Sequence, residues 1–216
     1  MAFSDYKTIA QVQNEFDVKY QEANFIVAPD VQPDAFFLRE FAFTLAAIDV
    51  YTSEASRAEA VIFPILREVY KGYHERFALW IQKAIAYNDK LNGTPDYLVA
   101  TKSALGKTVL AKPLVLLVEA KKNDFEQGWG QCLAELVAAQ KINDNVADAV
   151  YGIVTDGKLW EFGKLQGDTF TKNIEGVTVD QLARLFGALR FIFEAIAGQS
   201  ENRSNHSDGA VLRSTL

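Results

Sequence analysis

The chain has 216 residues, 49% of them hydrophobic, with 15 Phe, 8 Tyr and 3 Trp, which supplies a buried core and excludes a mostly disordered chain. One cysteine, Cys132, and two histidines, His74 and His206, exclude a disulfide framework and a multi-cysteine zinc site and leave little for a histidine relay. A net charge of −6 excludes a protein that coats nucleic acid through general basicity, so any nucleic-acid contact has to rest on a local site.

In chain order, residues 1–7 lack a basic region followed by an apolar one, as a secretory signal would require. The most apolar stretch, 35–50, is interrupted by Arg39, Glu40 and Asp49 and is too short to span a bilayer. A soluble cytoplasmic protein without membrane contact is expected. The first fifty residues read as helical with a break at 27–33, where Pro29 and Pro33 disfavour helix. Asp34 then precedes Phe36, Phe37, Phe41, Leu45 and Ile48 at helical spacing, a packing helix or, given so much Phe, an oligomer interface.

Ser53 and Glu54 open a second helix, with Val61, Ile62, Ile65, Leu66, Val69 and Tyr73 on one face and Pro64 disturbing it from within. Residues 97–100 and 114–118 are short β-rich apolar runs, the latter continuous, as in a strand buried on both faces. Residues 125–140 return to helical spacing, with Gly128 and Gly130 leaving room for a close neighbour. Two more strands, 149–154 and 159–162, flank Asp156-Gly157, a hairpin signal. A last helix is expected from Thr178, capped through Gln181, and residues 199–216, rich in Ser and Asn, read as a disordered tail.

The chemistry concentrates at Asp96 and at Glu119-Ala120-Lys121. Alternation along a strand puts Glu119 and Lys121 on one side, and charge at the end of a buried apolar strand is costly unless used or paired. If the two strands pair, Asp96 joins them. Two carboxylates and the Ala120 carbonyl suit Mg²⁺, with Mn²⁺ able to substitute, and a lysine beside them suits phosphodiester hydrolysis. The plainer alternative is an ion pair of Glu119 with Lys121 or Lys122. Gly106-Lys107-Thr108 fails the phosphate-loop pattern because Thr101 stands where glycine is required. Lys102, Lys107 and Lys112 form a basic stretch between the two strands, either a solvated loop or a phosphate-contacting hairpin beside the site.

Pro95-Asp96 followed by Glu119-Ala120-Lys121 on an apolar strand resembles the PD-(D/E)XK nuclease superfamily. The likeness is closest to the N-terminal nuclease domain of type I restriction motor subunits and its stand-alone relatives. The helix from Ser53 is similar to the family's first core helix, Gln131 falls where members often carry glutamine after the lysine strand, and residues 151–160 are similar to the hairpin that follows. The resemblance covers roughly residues 50–165.

That resemblance implies Asp96 and Glu119 as metal ligands together with the Ala120 carbonyl, and Lys121 as the catalytic lysine. It implies an acid on the first helix, Glu54 with Glu59 as competitor, and Gln131 at the metal–water network or the nucleic acid. The sequence departs from the pattern at Glu135, where relatives with this glutamine often have tyrosine.

The expected fold is α/β, a restriction-endonuclease-like core with a four-stranded mixed sheet flanked by helices. Residues 1–50 are expected as a helical region packed on the core, 51–198 as the core and 199–216 as the tail. The expected function is metal-dependent hydrolysis of DNA. The alternative is a nuclease-fold module that binds nucleic acid or a partner protein without cutting, and a structural oligomerisation role is the third reading. A homodimer or a partner subunit supplying specificity is a further expectation.

Overall fold

A computed structural model describes residues 2–211, with side chains to Glu201. After a 3-10 turn at Phe3–Asp5 come α1 (Ile9–Phe16), β1 (Lys19–Ala23) and α2 (Ala35–Ala47). Next are α3 (Glu54–Arg57), a π-helical turn (Ala58–Ile62) and α4 (Phe63–Tyr70), one helical run with a wider turn inside it. Strands β2 (Phe77–Ile81), β3 (Ile85–Ala86), β4 (Asn92–Gly93), β5 (Tyr97–Thr101) and β6 (Leu114–Ala120) lead into α5 (Phe125–Asn143). The chain then forms β7 (Val150–Thr155), β8 (Leu159–Gln166), β9 (Thr169–Asn173), β10 (Val177–Thr178) and α6 (Leu182–Val211).

The main sheet has eight strands in the order β1-β9-β8-β7-β6-β5-β2, with β10 paired to β8. The side that ends in β2 is mixed: β2, β5 and β6 run antiparallel in turn, and β7 lies parallel to β6 after the α5 crossover. The four strands read from the sequence, β5, β6, β7 and β8, are thus half of a larger sheet. The additions are β2 beside β5, β9 beside β8, β1 in parallel with β9, and the short β10 on β8. The N-terminal region is accordingly not all helical. The segment Lys19–Ala23 is mostly polar and largely exposed, so no apolar periodicity marks it as a strand; pairing with β9 decides it.

Every residue of β6 is buried, because apolar layers cover both faces of the sheet. Trp129, Leu133, Leu136 and Val137 of α5 pack on one face with Leu98, Leu117 and Phe170. Ile62, Ile65 and Leu66 of the first helical run and Leu189, Ile192 and Phe193 of α6 pack on the other, with Val118, Ile153 and Phe162.

Pro64 has no N–H to give the preceding turn, and that turn is the π-helical one. The Tyr97 hydroxyl donates to the Ala58 carbonyl at 3.0 Å and ties the turn to β5. Ser53 caps the run, its hydroxyl accepting from the Ser56 N–H at 3.0 Å. Arg57, buried, donates to the carbonyls of Asp156 (3.1 Å) and Tyr51 (3.3 Å), fastening the same helix to the β7–β8 hairpin. That hairpin turns at Gly157 with φ +82°, as Asp-Gly predicts.

Two boundaries move. The last helix starts at Leu182 and not Thr178, because Val177 and Thr178 pair with Trp160 and Leu159 as β10. It also continues to Val211, through part of the segment read as a tail. Gln199 exchanges hydrogen bonds with both backbone groups of Ala149, and Arg76 donates to the Ala197 carbonyl and to Glu201, which hold the helix onto the body there. Residues 212–216 of the expected tail lie outside the described residues. Among the described residues no helix is long and apolar enough to cross a membrane.

Candidate active site

Antiparallel pairing brings the start of β5 to the end of β6. The register runs Tyr97 to Val118 and Leu98 to Leu117, so one step further Asp96 stands opposite Glu119. The Asp96 carboxylate accepts the Ala120 N–H at 2.8 Å, replacing a backbone rung where β5 has ended. Its own carbonyl accepts from the Gln82 N–H at 2.9 Å, which closes the strand end on the other side.

Lys121 follows β6, its N–H bonded to the Thr155 carbonyl at 2.9 Å. Its ammonium lies 3.2 Å from Glu119 Oε2. The stem of Lys121 runs over Gly128. A Cβ there would come within 3.1 Å of Lys121 Cγ and 2.6 Å of Val154 Cγ1, so the glycine is the room the lysine uses. Asn123 takes a left-handed conformation (φ +67°) and Asp124 caps α5, bringing that helix's first turn beside the site.

Glu54 reaches the same place from the first helix and accepts the Lys122 N–H at 3.2 Å. Its charge is felt by Asp96 and Lys121, whereas that of Glu59 is felt by Tyr97. Glu54 is therefore the helix acid on the site side. Lys122 itself is exposed. The loop 102–113 is not beside the site: it joins the end of β5 to the start of β6, some five residues or roughly 17 Å along the strand from Glu119. Lys102, Lys107 and Lys112 thus sit at the other end of the sheet, with Lys102 paired to Glu75.

Gln131 is not solvated. It is buried on α5 and donates to Glu135 Oε1 at 3.3 Å. Glu135, fully buried, interacts in turn with Glu119, also fully buried. Both oxygens of Glu119 and Oε2 of Glu135 lack a hydrogen-bond donor; the Lys121 ammonium is close to Glu119 as a charge without hydrogen-bond alignment. Glu135 stands in the sequence only as a departure from the family pattern and has no role assigned there. Its mark in the sequence is a carboxylate one helical turn after Gln131, within the apolar stripe of α5.

The electrostatics follow from burial. Desolvation pushes the Glu135 carboxyl well above the usual carboxylate range, and the Glu119 charge adds to it. Desolvation also raises Glu119 and Asp96, and Lys121 offsets part of each; for Asp96 the Ala120 N–H helps hold it down. Burial alone would lower Lys121, but the carboxylates of Glu119, Asp96 and Glu54 leave it raised and charged.

Asp96, Glu119 and the strand-end carbonyl of Ala120 make an all-oxygen donor set, and donor-less buried oxygens on Glu119 fit a hard divalent ion. Among the described residues no three or more His, Cys, Asp or Glu side chains gather as one ion-binding group, so the set rests on two carboxylates and main chain.

No family model matches the chain, and no curated protein matches it. Among solved structures, a cryo-EM structure of a DrdV–DNA complex is similar with a TM-score of 0.43 at 16% identity, over 74% of this chain and 14% of that one.

Proposed function

We propose that the chain is a metal-dependent deoxyribonuclease of the restriction-endonuclease-like kind, using Mg²⁺ or Mn²⁺. The observation that carries this reading is the placement of Asp96 opposite Glu119 at paired strand ends, with Lys121 at the same end. A divalent ion held there by Asp96, Glu119 and the Ala120 carbonyl would supply positive charge to a phosphate and acidify a water.

The protein's own groups do the rest. Lys121, kept charged by its neighbours, is positioned to orient the attacking water and to stabilise negative charge developing on the phosphoryl oxygens. Glu54 fixes the turn after β6 through the Lys122 N–H and thereby the course of the chain that carries Lys121. Lys122 and Lys158 are exposed at this end, the latter with its ammonium 4.3 Å from the Tyr51 ring, and offer phosphate contacts to a chain whose overall charge is negative.

One observation favours the second reading, a module that binds without cutting: Glu119 is 0% exposed, so an ion reaches it only if Lys121 or its neighbours give way. The test is a cleavage assay on linear, circular and single-stranded DNA at low salt across metals, with Mn²⁺ binding measured in parallel. Metal-dependent cutting that is lost in Glu119→Gln supports the nuclease. Neither cutting nor metal binding in the wild-type protein refutes it and leaves the non-catalytic module.

A further inference from the structure

Helix α2 touches the body through a narrow stripe. Phe37 and Phe41 are buried and Thr44 is half-buried, while the other ten of its thirteen residues are exposed. Eight of those ten are apolar. Phe36 is 61% exposed and Phe43 66%, and Leu38, Leu45 and the following Ile48 are exposed as well. A helix that is apolar all round belongs in an interior, and this one lies on the surface.

At about 100° per residue, the outward side carries Ala35, Ala42 and Ala46 together with Arg39, whose guanidinium folds aside over the Phe36 ring, with Phe36 and Phe43 along one flank and Leu38 and Leu45 along the other. Small residues outward let a second helix come close, and the bulky flanks then close around it. We propose that this face binds α2 of a second copy of the chain, antiparallel, about a two-fold axis beside Ala42.

The helix is complementary to its own reverse. Turned about that axis, Leu38 stands level with Leu45 of the second copy, and Phe36 with the small Ala47. Antiparallel packing sets like flanks together, so leucine meets leucine, and phenylalanine meets alanine and the stem of Glu40. The two charged residues of the face do not oppose this. Arg39 pairs with Glu40 of its own helix at 3.4 Å and lies over the Phe36 ring at 5.0 Å, so the face carries no net charge toward its copy.

The area is sufficient. With roughly 200 Å² for a whole aromatic side chain, Phe36, Leu38, Phe43 and Leu45 with the exposed alanines between them offer on the order of 500 Å² per copy. Two copies reach the ~1,000 Å² at which a specific interface begins. A two-fold arrangement closes on itself and leaves no further copy of the patch open. The proposal is independent of the catalytic reading.

The test uses the full chain. Light scattering after size exclusion at about 100 µM is expected to give twice the 24.0 kDa chain mass for wild type and the single-chain mass for Phe36→Glu/Phe43→Glu. Thermal melting checks that the double variant is folded. In a separate variant, Ala42→Cys, mild oxidation is expected to give a covalent dimer. Cys132 is buried, so the bond joins the new cysteines of two copies, and Val146→Cys, exposed away from α2, serves as the control that stays single. A wild-type protein that stays monomeric at this concentration overturns the proposal, and so does a dimer that persists in the double variant while Ala42→Cys fails to cross-link.

Discussion

Replacing Glu135 by glutamine isolates what the buried acid pair costs the fold. The change keeps shape and keeps an oxygen to accept from Gln131, but removes one ionisable group and gives Glu119 an N–H donor at every pH, where the Glu135 carboxyl can donate only while protonated. In wild type the folded-state pKa of Glu135 is raised above the unfolded value near 4.5, chiefly by burial and then by Glu119. The native state therefore holds a proton that the unfolded chain releases. The stability this carries is complete below about 4.5 and is lost as pH rises toward the folded value. Glutamine has no such proton, so the variant gains on wild type as pH rises. Satisfying a buried polar group that had no partner is worth about 1–3 kcal/mol. For a chain of this size that is a rise in Tm of roughly 2–12 °C at pH 8, shrinking toward zero at pH 4. The assay is thermal denaturation of both proteins with a chelator present at the two pH values. A variant that is less stable than wild type at pH 8, or a difference that does not change with pH, would refute the reasoning.

Lys121→Ala is expected to slow DNA cleavage by about 10²–10⁴-fold in a protein that still folds, though with a lowered melting point because buried Glu119 loses its cation, while Lys122→Ala, at an exposed side chain whose backbone N–H is what contacts Glu54, has a much smaller effect in the same assay. Gly128→Ala pushes a methyl against Val154 and the Lys121 stem and is expected to cost about 1–3 kcal/mol in denaturant unfolding, with activity falling further than stability alone explains. Arg57→Ala strands the Asp156 carboxylate and two carbonyls in a buried position and should cost about 3–5 kcal/mol, read as a lower unfolding midpoint.

The parts of the fold visible in the sequence are those with a strong local signature. Continuous apolar residues at 114–118 marked a strand covered on both faces, Asp156-Gly157 marked a hairpin, and Ser53 and Asp34 stand as helix caps. Lys19–Ala23 and Val177–Thr178 carried no such mark, since both are strands only by virtue of the partner they lie against. At the site, strand alternation and pairing were enough to put Asp96, Glu119 and Lys121 at one end of the sheet. The surroundings of Gln131 were not legible, because whether a polar helix residue faces water or another polar group depends on how the helix is rotated over the sheet. Here that rotation turns Gln131 and Glu135 inward together. The placement of the 102–113 lysines was open to inference, since a loop joining two antiparallel strands must lie at the end opposite their other termini.

If Asp96 holds the metal as proposed, its hydrogen bond from the Ala120 N–H gives that one residue two separate duties. Drift that erodes cutting meets resistance at this position, because loss of the side chain frays the sheet as well. Asparagine keeps an acceptor oxygen and so offers an escape that retains the architecture. Lys121 bonds no backbone group of the described residues through its side chain: the ammonium faces Glu119 and the stem lies over a glycine, so a shorter residue leaves the strands paired. Among descendants of this chain, an aspartate at 96 is therefore weak testimony that catalysis survives, and the lysine at 121 is the better witness.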